Sequence, residues 1–152
     1  MKRPAVLLTV AFLATGCAMQ QIEQMAKTAC SGPGQQPFIV DAKHEGIPLV
    51  VDSASAMILC VGPDDVTHLP ATFGADAVST TNLRGVGIFA VAPGSAAEKA
   101  GIKPSDVVYE FAGTPVAKVA ELGVAIGRTA PGDRAAIKLR RKSKDVTVTA
   151  QF

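Results

Sequence analysis

The residues from Arg84 to Ala90 form the segment of this chain best suited to bind another molecule. A glycine-rich turn that runs directly into an apolar strand directs several backbone N–H groups into one small space. Such a space suits a carboxylate, because each N–H group donates a hydrogen bond to a negatively charged oxygen. The pattern predicts a site for the C-terminal end of a peptide, and its candidate residues are Arg84, Gly85, Val86, Gly87, Ile88, Phe89 and Ala90.

The sequence C-terminal to this turn predicts the helices and strands that position it. Ser95 and Glu98 have the spacing of a capping box, which predicts a short helix that ends near Gly101. Apolar residues at helical spacing predict a second helix, with Leu122 and Ile126 as the wall opposite the turn. Strands are predicted over residues 107–111, 135–141 and 146–152, the last two as a hairpin with one buried face.

Residues 82–152 resemble a PDZ domain of the type found in bacterial HtrA-like proteases. The resemblance is carried by residues 92–108 and 113–116, and it departs from the family pattern where Ser105 replaces a usual glycine and where Gly123 and Gly127 weaken the second helix. It implies that the turn of pattern x-Φ-G-Φ, here Val86-Gly87-Ile88, holds a peptide carboxylate. The peptide is then expected as an added strand beside residues 88–91.

The expected fold class is α+β, a small, partly open barrel or sandwich with two helices. A short strand-containing segment, residues 37–81, is expected to precede it. There we predict strands over residues 38–40 and 47–51 with a hairpin turn over residues 42–46, then a buried strand over residues 57–61. Residues 62–81 are interpreted as a polar connection.

The N-terminus resembles a bacterial lipoprotein signal peptide. Lys2 and Arg3 form a basic start, residues 4–13 are apolar but too short to span a bilayer, and Leu13-Ala14-Thr15-Gly16-Cys17 resembles a lipobox. The resemblance implies that residues 1–16 are removed and that Cys17 carries acyl chains such as palmitate, followed by an extension over residues 17–36. Since Ala18 is not the aspartate that usually retains lipoproteins in the inner membrane, the outer membrane is the expected location.

Two further cysteines remain once Cys17 is assigned to lipid. In an oxidising periplasm, Cys30 and Cys60 are expected to form a disulfide. The alternative is that Cys60 is a small buried residue and Cys30 lies free in a linker. Neither has a histidine or cysteine partner at the spacing of metal ligands, so no metal and no other cofactor is expected.

Charge separates the two halves of the chain. Residues 18–81 hold two basic and seven acidic residues, whereas residues 82–152 hold eleven basic and six acidic ones, which gives net charges of −5 and +5. Without Lys2 and Arg3 the chain is formally neutral, so nucleic acid is not an expected partner. The basic run over residues 140–144 is either a site for an anionic surface or a solvated hairpin turn, and the turn is the favoured interpretation.

An enzyme is not predicted. His44, Asp52 and Ser53 supply the residue types of a serine hydrolase, but no nucleophile turn of pattern G-x-S-x-G is present. His68 lies in a predicted loop. Two functions remain: a lipid-anchored receptor for protein or peptide C-termini, or a non-catalytic assembly component whose groove is filled by its own N-terminal half. The sequence leaves the partner and the oligomeric state open.

Overall fold

The structure, a computed structural model, describes residues 6–12, 18–47, 51–79 and 84–152. The chain divides into a first unit, residues 1–63, and a second, residues 64–152. The first contains β1 (Val6–Phe12), α1 (Ala18–Ala29), β2 (Gln36–Ile47) and β3 (Val51–Val61). A 3₁₀ turn (Pro63–Asp65) crosses the boundary in the sequence. The second unit contains β4 (Val66–His68), β5 (Ala75–Ser79), β6 (Val86–Val91), α2 (Ala96–Lys99), β7 (Val107–Phe111), β8 (Thr114–Pro115), α3 (Val119–Gly127), β9 (Arg134–Arg141) and β10 (Lys144–Gln151).

The first unit is a three-stranded antiparallel sheet of order β1-β3-β2, with α1 packed against it. The buried face of α1 presents Ile22 and Ala26 to Ala56 and Ile58 of β3. Residues 6–12, which belong to the predicted signal peptide, pair with β3 from Val6 opposite Ile58 to Phe12 opposite Asp52. Cys17 lies outside the described residues, so its lipidation stays a prediction.

The hairpin turn predicted over residues 42–46 is wrong. These residues lie inside β2, which pairs with β3 as far as Ile47 opposite Val51. The predicted strand over residues 47–51 is therefore divided between the end of β2 and the start of β3. A continuous partner strand supplies backbone hydrogen bonds along the whole of β2, and these outweigh the local turn preference of Gly46.

A disulfide joins the end of α1 to β3, as predicted. The sulfur atoms of Cys30 and Cys60 are bonded, the two Cα atoms are 5.3 Å apart, and the bridge closes a loop with a sequence separation of 30. Cys30 is also buried together with the residues that hold α1 on the sheet. The bond therefore fixes the helix at the place where its apolar contacts end.

The second unit is a seven-stranded antiparallel sheet with α2 and α3, and the expected α+β class is confirmed. Strands β10-β9-β7-β6-β5-β4 follow in that order, with β8 paired to β7. The hairpin of β9 and β10 has the predicted alternation, since Ala135, Ile137 and Leu139 are buried and alternate with exposed residues along β9. Among the described residues these strands do not close into a barrel.

The short helix α2 and the turn after it follow the predicted local pattern. Glu98 N donates to Ser95 Oγ at 3.1 Å, and the Glu98 carboxylate accepts from Gly94 N at 2.6 Å. Gly101 ends the helix with a left-handed φ of 79°. Ser105 also has a left-handed φ, 73°, which explains why glycine is usual at this position in similar domains.

A buried ion pair ties this turn to the end of β9. Asp106 is only 1% exposed, and its carboxylate accepts two hydrogen bonds from Arg141, from Nε at 2.7 Å and from a terminal nitrogen at 2.6 Å. Lys103 N donates to the same carboxylate at 2.8 Å, and Arg141 also donates to the Gly101 carbonyl oxygen. The hydrogen bond to Asp106 raises the pKa of Arg141, which favours the charged form of the guanidinium. Arg141 is therefore a structural residue.

The boundary between the units lies earlier than the sequence predicts. The second unit begins at Asp64, whereas the expected boundary preceded Asn82. The difference arises because β5 pairs with β6 from Ala75 to Ser79 and so belongs to the second sheet. Residues 62–81 are therefore not merely a connection between the units. Among the described residues, no helix combines the length and apolar character that crossing a membrane requires.

We expect loss of the disulfide to destabilise the first unit. In the chain-entropy model, a loop of this length contributes about 3 to 4 kcal/mol to the free energy of unfolding. Replacing Cys30 and Cys60 by serine should speed amide hydrogen exchange in α1 and β3, as should reduction of the native protein. Two free thiols titrated in oxidised, unfolded Cys17→Ser protein would contradict the bridge.

Candidate functional site

The structure does not leave the predicted peptide edge open. β5 pairs with β6 along its length, from Val86 to Val91, and β7 pairs with Val86 and Gly87 on the other side. Ile88 N donates to the Asp106 carbonyl oxygen at 2.8 Å, and its own carbonyl accepts from Ser105 N. The prediction that a peptide adds as a strand beside residues 88–91 is therefore wrong. These partners, β5 on one side and β7 with Ser105 and Asp106 on the other, already use the backbone groups of β6.

The predicted site residues are instead mostly part of the core. Val86, Gly87 and Ile88 are buried within β6, Phe89 and Ala90 are half-buried, and Arg84 is exposed before the strand. A Cβ atom on Gly85 would lie 2.7 Å from the Val108 carbonyl oxygen, so glycine is needed here for the close approach of β7. This glycine-rich stretch serves sheet packing.

A second segment of pattern x-Φ-G-Φ, Thr72-Phe73-Gly74-Ala75, leads into β5, whose first residue is Ala75. Its amide groups converge on one oxygen: Phe73 N and Gly74 N donate to the Pro70 carbonyl at 2.9 and 3.1 Å. Gly74 adopts a left-handed φ of 72°, which favours glycine. This turn has the arrangement that was predicted for Val86-Gly87-Ile88, namely adjacent N–H groups directed at one acceptor.

Phe73 anchors this turn in the core. Its side chain is fully buried and lies edge-on to Phe111, with ring centres 6.4 Å apart, and stacked with Phe152 at 6.1 Å. Its carbonyl accepts from Ala97 N of α2 at 3.0 Å, and the carbonyl of Gly74 accepts from Ala92 N at 2.9 Å. Both the side chain and the backbone therefore hold the turn in place.

Helix α3 packs against β5 through Leu122 and Ile126, whereas the sequence predicts these residues opposite the Gly85–Gly87 turn. Both side chains are fully buried in the cluster that also contains Ala75 and Ala77 of β5. At its start, the Glu121 carboxylate accepts from Ala117 N at 2.8 Å and from Lys118 N at 3.2 Å. These bonds, that to Ala117 first, lower the pKa of Glu121 below its usual value of 4.5. They stabilise the helix start above that pH, and the contribution is lost as the pH falls through the lowered pKa.

The outer edge of β5 is covered by β4 of the same chain. Val66, Thr67 and His68 lie opposite Val78, Ala77 and Asp76, and Leu69 N extends the pairing by donating to the Ala75 carbonyl at 3.0 Å. His68 Nδ1 and Asp76 Oδ1 are 2.5 Å apart on the exposed face. Leu69 is buried in the cluster with Leu122 and Ile126. A strand therefore already lies where β5 would accept one.

Sequence reasoning missed β5 and the turn before it. The signal was present, since Phe73-Gly74-Ala75 has the same Φ-G-Φ pattern as the segment chosen. It was weak because alanine supplies two of the buried side chains of β5, Ala75 and Ala77, and alanine is depleted in strands. Only the sheet order reveals that β5 lies next to the last strand of the sheet, whereas β6 lies further inside.

The second unit thus defines a small antiparallel α+β domain with a glycine turn, a strand and a facing helix. The family profile of the PDZ domain matches residues 64–151, more than half of the chain. The protein belongs to the PDZ domain family. This match includes β4 and β5, in agreement with the boundary that the structure gives.

Periplasmic proteases contain similar sequences. The chain is 32% identical over 78 residues to a probable DegP-like periplasmic serine endoprotease of Hahella chejuensis, and 36% identical over 77 residues to the pH-dependent endoprotease DegQ of Escherichia coli. These matches cover 51% and 49% of this chain but only 17% of either relative. The match to each protease is therefore of the size of the PDZ domain alone.

Solved structures of HtrA-type proteins are also similar. The HtrA3 PDZ domain bound to a phage-derived ligand, FGRWV, is 25% identical, with a TM-score of 0.40 over 44% of this chain and 62% of that one. The HtrA-type protease AlgW with a decapeptide is 17% identical, with a TM-score of 0.44 over 88% of this chain and 34% of that one.

We expect the Gly74→Ala substitution to destabilise the second unit more than Gly94→Ala does. Both glycines have a φ near 73°, but a Cβ atom on Gly74 would lie 2.4 Å from Ser95 Cβ, whereas nothing lies within 4 Å of one on Gly94. Gly94→Ala should cost about 1 kcal/mol for the left-handed backbone alone, and Gly74→Ala about 1 to 3 kcal/mol more for overpacking.

Urea unfolding followed by the fluorescence of Tyr109, the single tyrosine in a chain without tryptophan, measures both substitutions. Equal losses of unfolding free energy in the two variants would contradict the close packing of the Phe73-Gly74 turn on α2.

Proposed function

We propose that this protein is a lipid-anchored, non-catalytic protein of the bacterial cell envelope whose PDZ domain binds peptides by strand addition. The binding site consists of the turn Pro70–Gly74, the strand β5 and the facing side of α3. The observation that carries the proposal is the turn, in which Phe73 N and Gly74 N donate to a single oxygen. The terminal carboxylate of a peptide is the group best suited to such donors.

The apolar side chains beside this turn suit the last side chain of that peptide. Ala75, Ala77, Leu122 and Ile126 belong to one apolar cluster beneath the site. An apolar lining favours a small or medium aliphatic last residue. A peptide of four or so residues buries far less than the ~800 Å² per partner of a stable interface, so we expect an affinity near micromolar or weaker.

The location follows from two lines of support. The relatives that match the PDZ domain are named as periplasmic. The N-terminus has the basic start, the apolar run and the lipobox ending in Cys17. More than one acyl chain on Cys17 gives durable membrane attachment, which we assign to the outer membrane. Only the PDZ-sized part matches the proteases, so their catalytic activity is not carried over.

We predict that binding depends on a free C-terminus. Pentapeptides ending in an aliphatic residue should bind about ten-fold more tightly as free acids than as amides, since the amide loses the charge-assisted hydrogen bonds. Titration by NMR should shift the amide signals of Phe73 and Gly74 first. Equal affinity of the two peptide forms, or shifts confined to Val86-Gly87-Ile88, would contradict the proposed site.

We predict that membrane attachment depends on Cys17. The Cys17→Ser substitution removes the group that carries the lipid, so the protein should move from the membrane pellet to the soluble fraction after cell lysis. Ala18→Ser is a neighbouring control that should stay in the pellet. A Cys17→Ser protein that remains fully sedimented with membranes would show that the lipid assignment is wrong.

A second candidate function is that of an assembly component that does not use its groove for free peptides. The pairing of β4 with β5 favours this candidate, because residues 66–69 already cover the edge that a peptide needs. The NMR signals of the Phe73 and Gly74 amides distinguish the two candidate functions. If the site is not used for free peptides, these signals do not shift at high concentrations of any free-acid peptide.

A further inference from the structure

We propose that the segment Val66–Leu69 is an internal ligand of the peptide site. External peptides must displace this segment, and they share its pattern of residue types. The inference rests on the proposed peptide-binding function and specifies how the site is regulated and what it selects. Three contacts carry the inference. β4 pairs with β5, the Leu69 side chain lies in the apolar cluster, and the Pro70 carbonyl accepts hydrogen bonds from the amides of the turn.

The backbone of this segment makes the contacts that an added strand would make. It runs antiparallel to β5, so its C-terminal end lies at the turn before β5. Leu69 N donates to the Ala75 carbonyl at 3.0 Å. One residue later, the Pro70 carbonyl accepts from Phe73 N and Gly74 N. The donors suited to a terminal carboxylate are thus satisfied by the chain itself, and a peptide that uses them must replace that carbonyl.

The side chain of Leu69 occupies the apolar part of the site. It is 6% exposed, whereas the strand before it is only partly covered, with Thr67 and His68 exposed. Leu69 packs in the same buried cluster as Ala75, Leu122 and Ile126. In a peptide that ends in leucine, the last side chain takes the place of the Leu69 side chain. The terminal carboxylate then lies within one residue of the amides of Phe73 and Gly74. The internal segment therefore indicates a leucine-sized last residue.

A polar contact specifies the residue before the last one. His68 lies opposite Asp76, and the two side chains meet at 2.5 Å on the open face of the hairpin. In an external peptide, the penultimate residue occupies this register position, facing the Asp76 carboxylate. A cationic or imidazole side chain is favoured there, and an acidic one is disfavoured by repulsion. The expected ligand is an extended peptide ending in a basic residue and then leucine.

A substitution at an exposed position of β4 can weaken the pairing of β4 with β5 without changing a buried side chain. Alternate residues of a strand direct their N–H groups to the same side, so Thr67 N–H faces β5, as Leu69 N–H does. Thr67→Pro removes that donor at an exposed position, and Thr67→Ala keeps it. Leu69→Ser provides a second, independent variant that withdraws the apolar side chain.

The experiment measures binding of a fluorescent Val-Thr-His-Leu peptide with a free carboxylate to the full-length protein in detergent. Because apparent affinity falls with the fraction of protein in the open state, Thr67→Pro and Leu69→Ser should bind about five-fold or more tightly than native protein and Thr67→Ala. In the Thr67→Pro protein, replacing the peptide histidine by lysine should preserve binding and replacing it by glutamate should weaken it. Asp76→Lys should reverse that order.

The outcomes separate this inference from the function on which it rests. Equal affinities of Thr67→Pro and Thr67→Ala, with Leu69→Ser no tighter, contradict the internal ligand while peptide binding stands. Weaker binding by Thr67→Pro, with native exchange protection of β6 and β7 retained, also contradicts it, because β4 then supports the site. No binding by any folded variant contradicts the peptide-binding function, and the internal ligand with it.

Discussion

The burial of Phe73 is the constraint on which the arrangement of the candidate site depends. Its ring completes a trio with Phe111 of β7 and Phe152 at the end of the chain, all in mutual contact. Removing a buried phenylalanine typically costs about 3 to 5 kcal/mol, a large fraction of the stability of a domain of this size. The turn before β5 therefore cannot leave the core without unfolding the second unit, and its amide groups are presented in a fixed place.

Because this turn is fixed, the strands on its two sides are held in the sheet to different degrees. β5 follows Phe73 and is held by β6 along its inner edge. β4 precedes the turn and has β5 as its neighbour in the sheet, with Leu69 as its buried contact. The exposed contact between His68 and Asp76 adds little, because even full ion pairs at the surface contribute only about 0 to 1 kcal/mol. Of the two strands, β4 is held by fewer neighbours and separates at the lower cost.

The sequence predicted the second unit well wherever local signals decide structure. The capping pattern of Ser95 and Glu98, the strand at residues 107–111 and the alternation of β9 all correspond to observed elements. It placed the candidate turn at Gly85–Gly87, although Thr72–Ala75 has the same local pattern of glycine between apolar residues. The strands that adjoin these two turns differ in their neighbours, since β6 lies between β5 and β7 whereas β5 lies next to the last strand, β4, and that order is a non-local property. The misplaced turn in β2 has the same cause, since a partner strand outweighed a local preference for bending.

A short tether makes the internal segment an effective competitor although its contacts are few. The turn Pro70–Gly74 joins β4 to β5, so the segment meets its site at an effective concentration on the order of millimolar. A free peptide of micromolar affinity gains a comparable occupancy only at high concentration or when it is itself confined. Attachment of both partners to one membrane supplies such confinement, because it holds them in a thin layer. The covered edge of β5 and the proposed lipid anchor are therefore consistent with a single role, in which peptides near the membrane are bound and dilute ones are excluded.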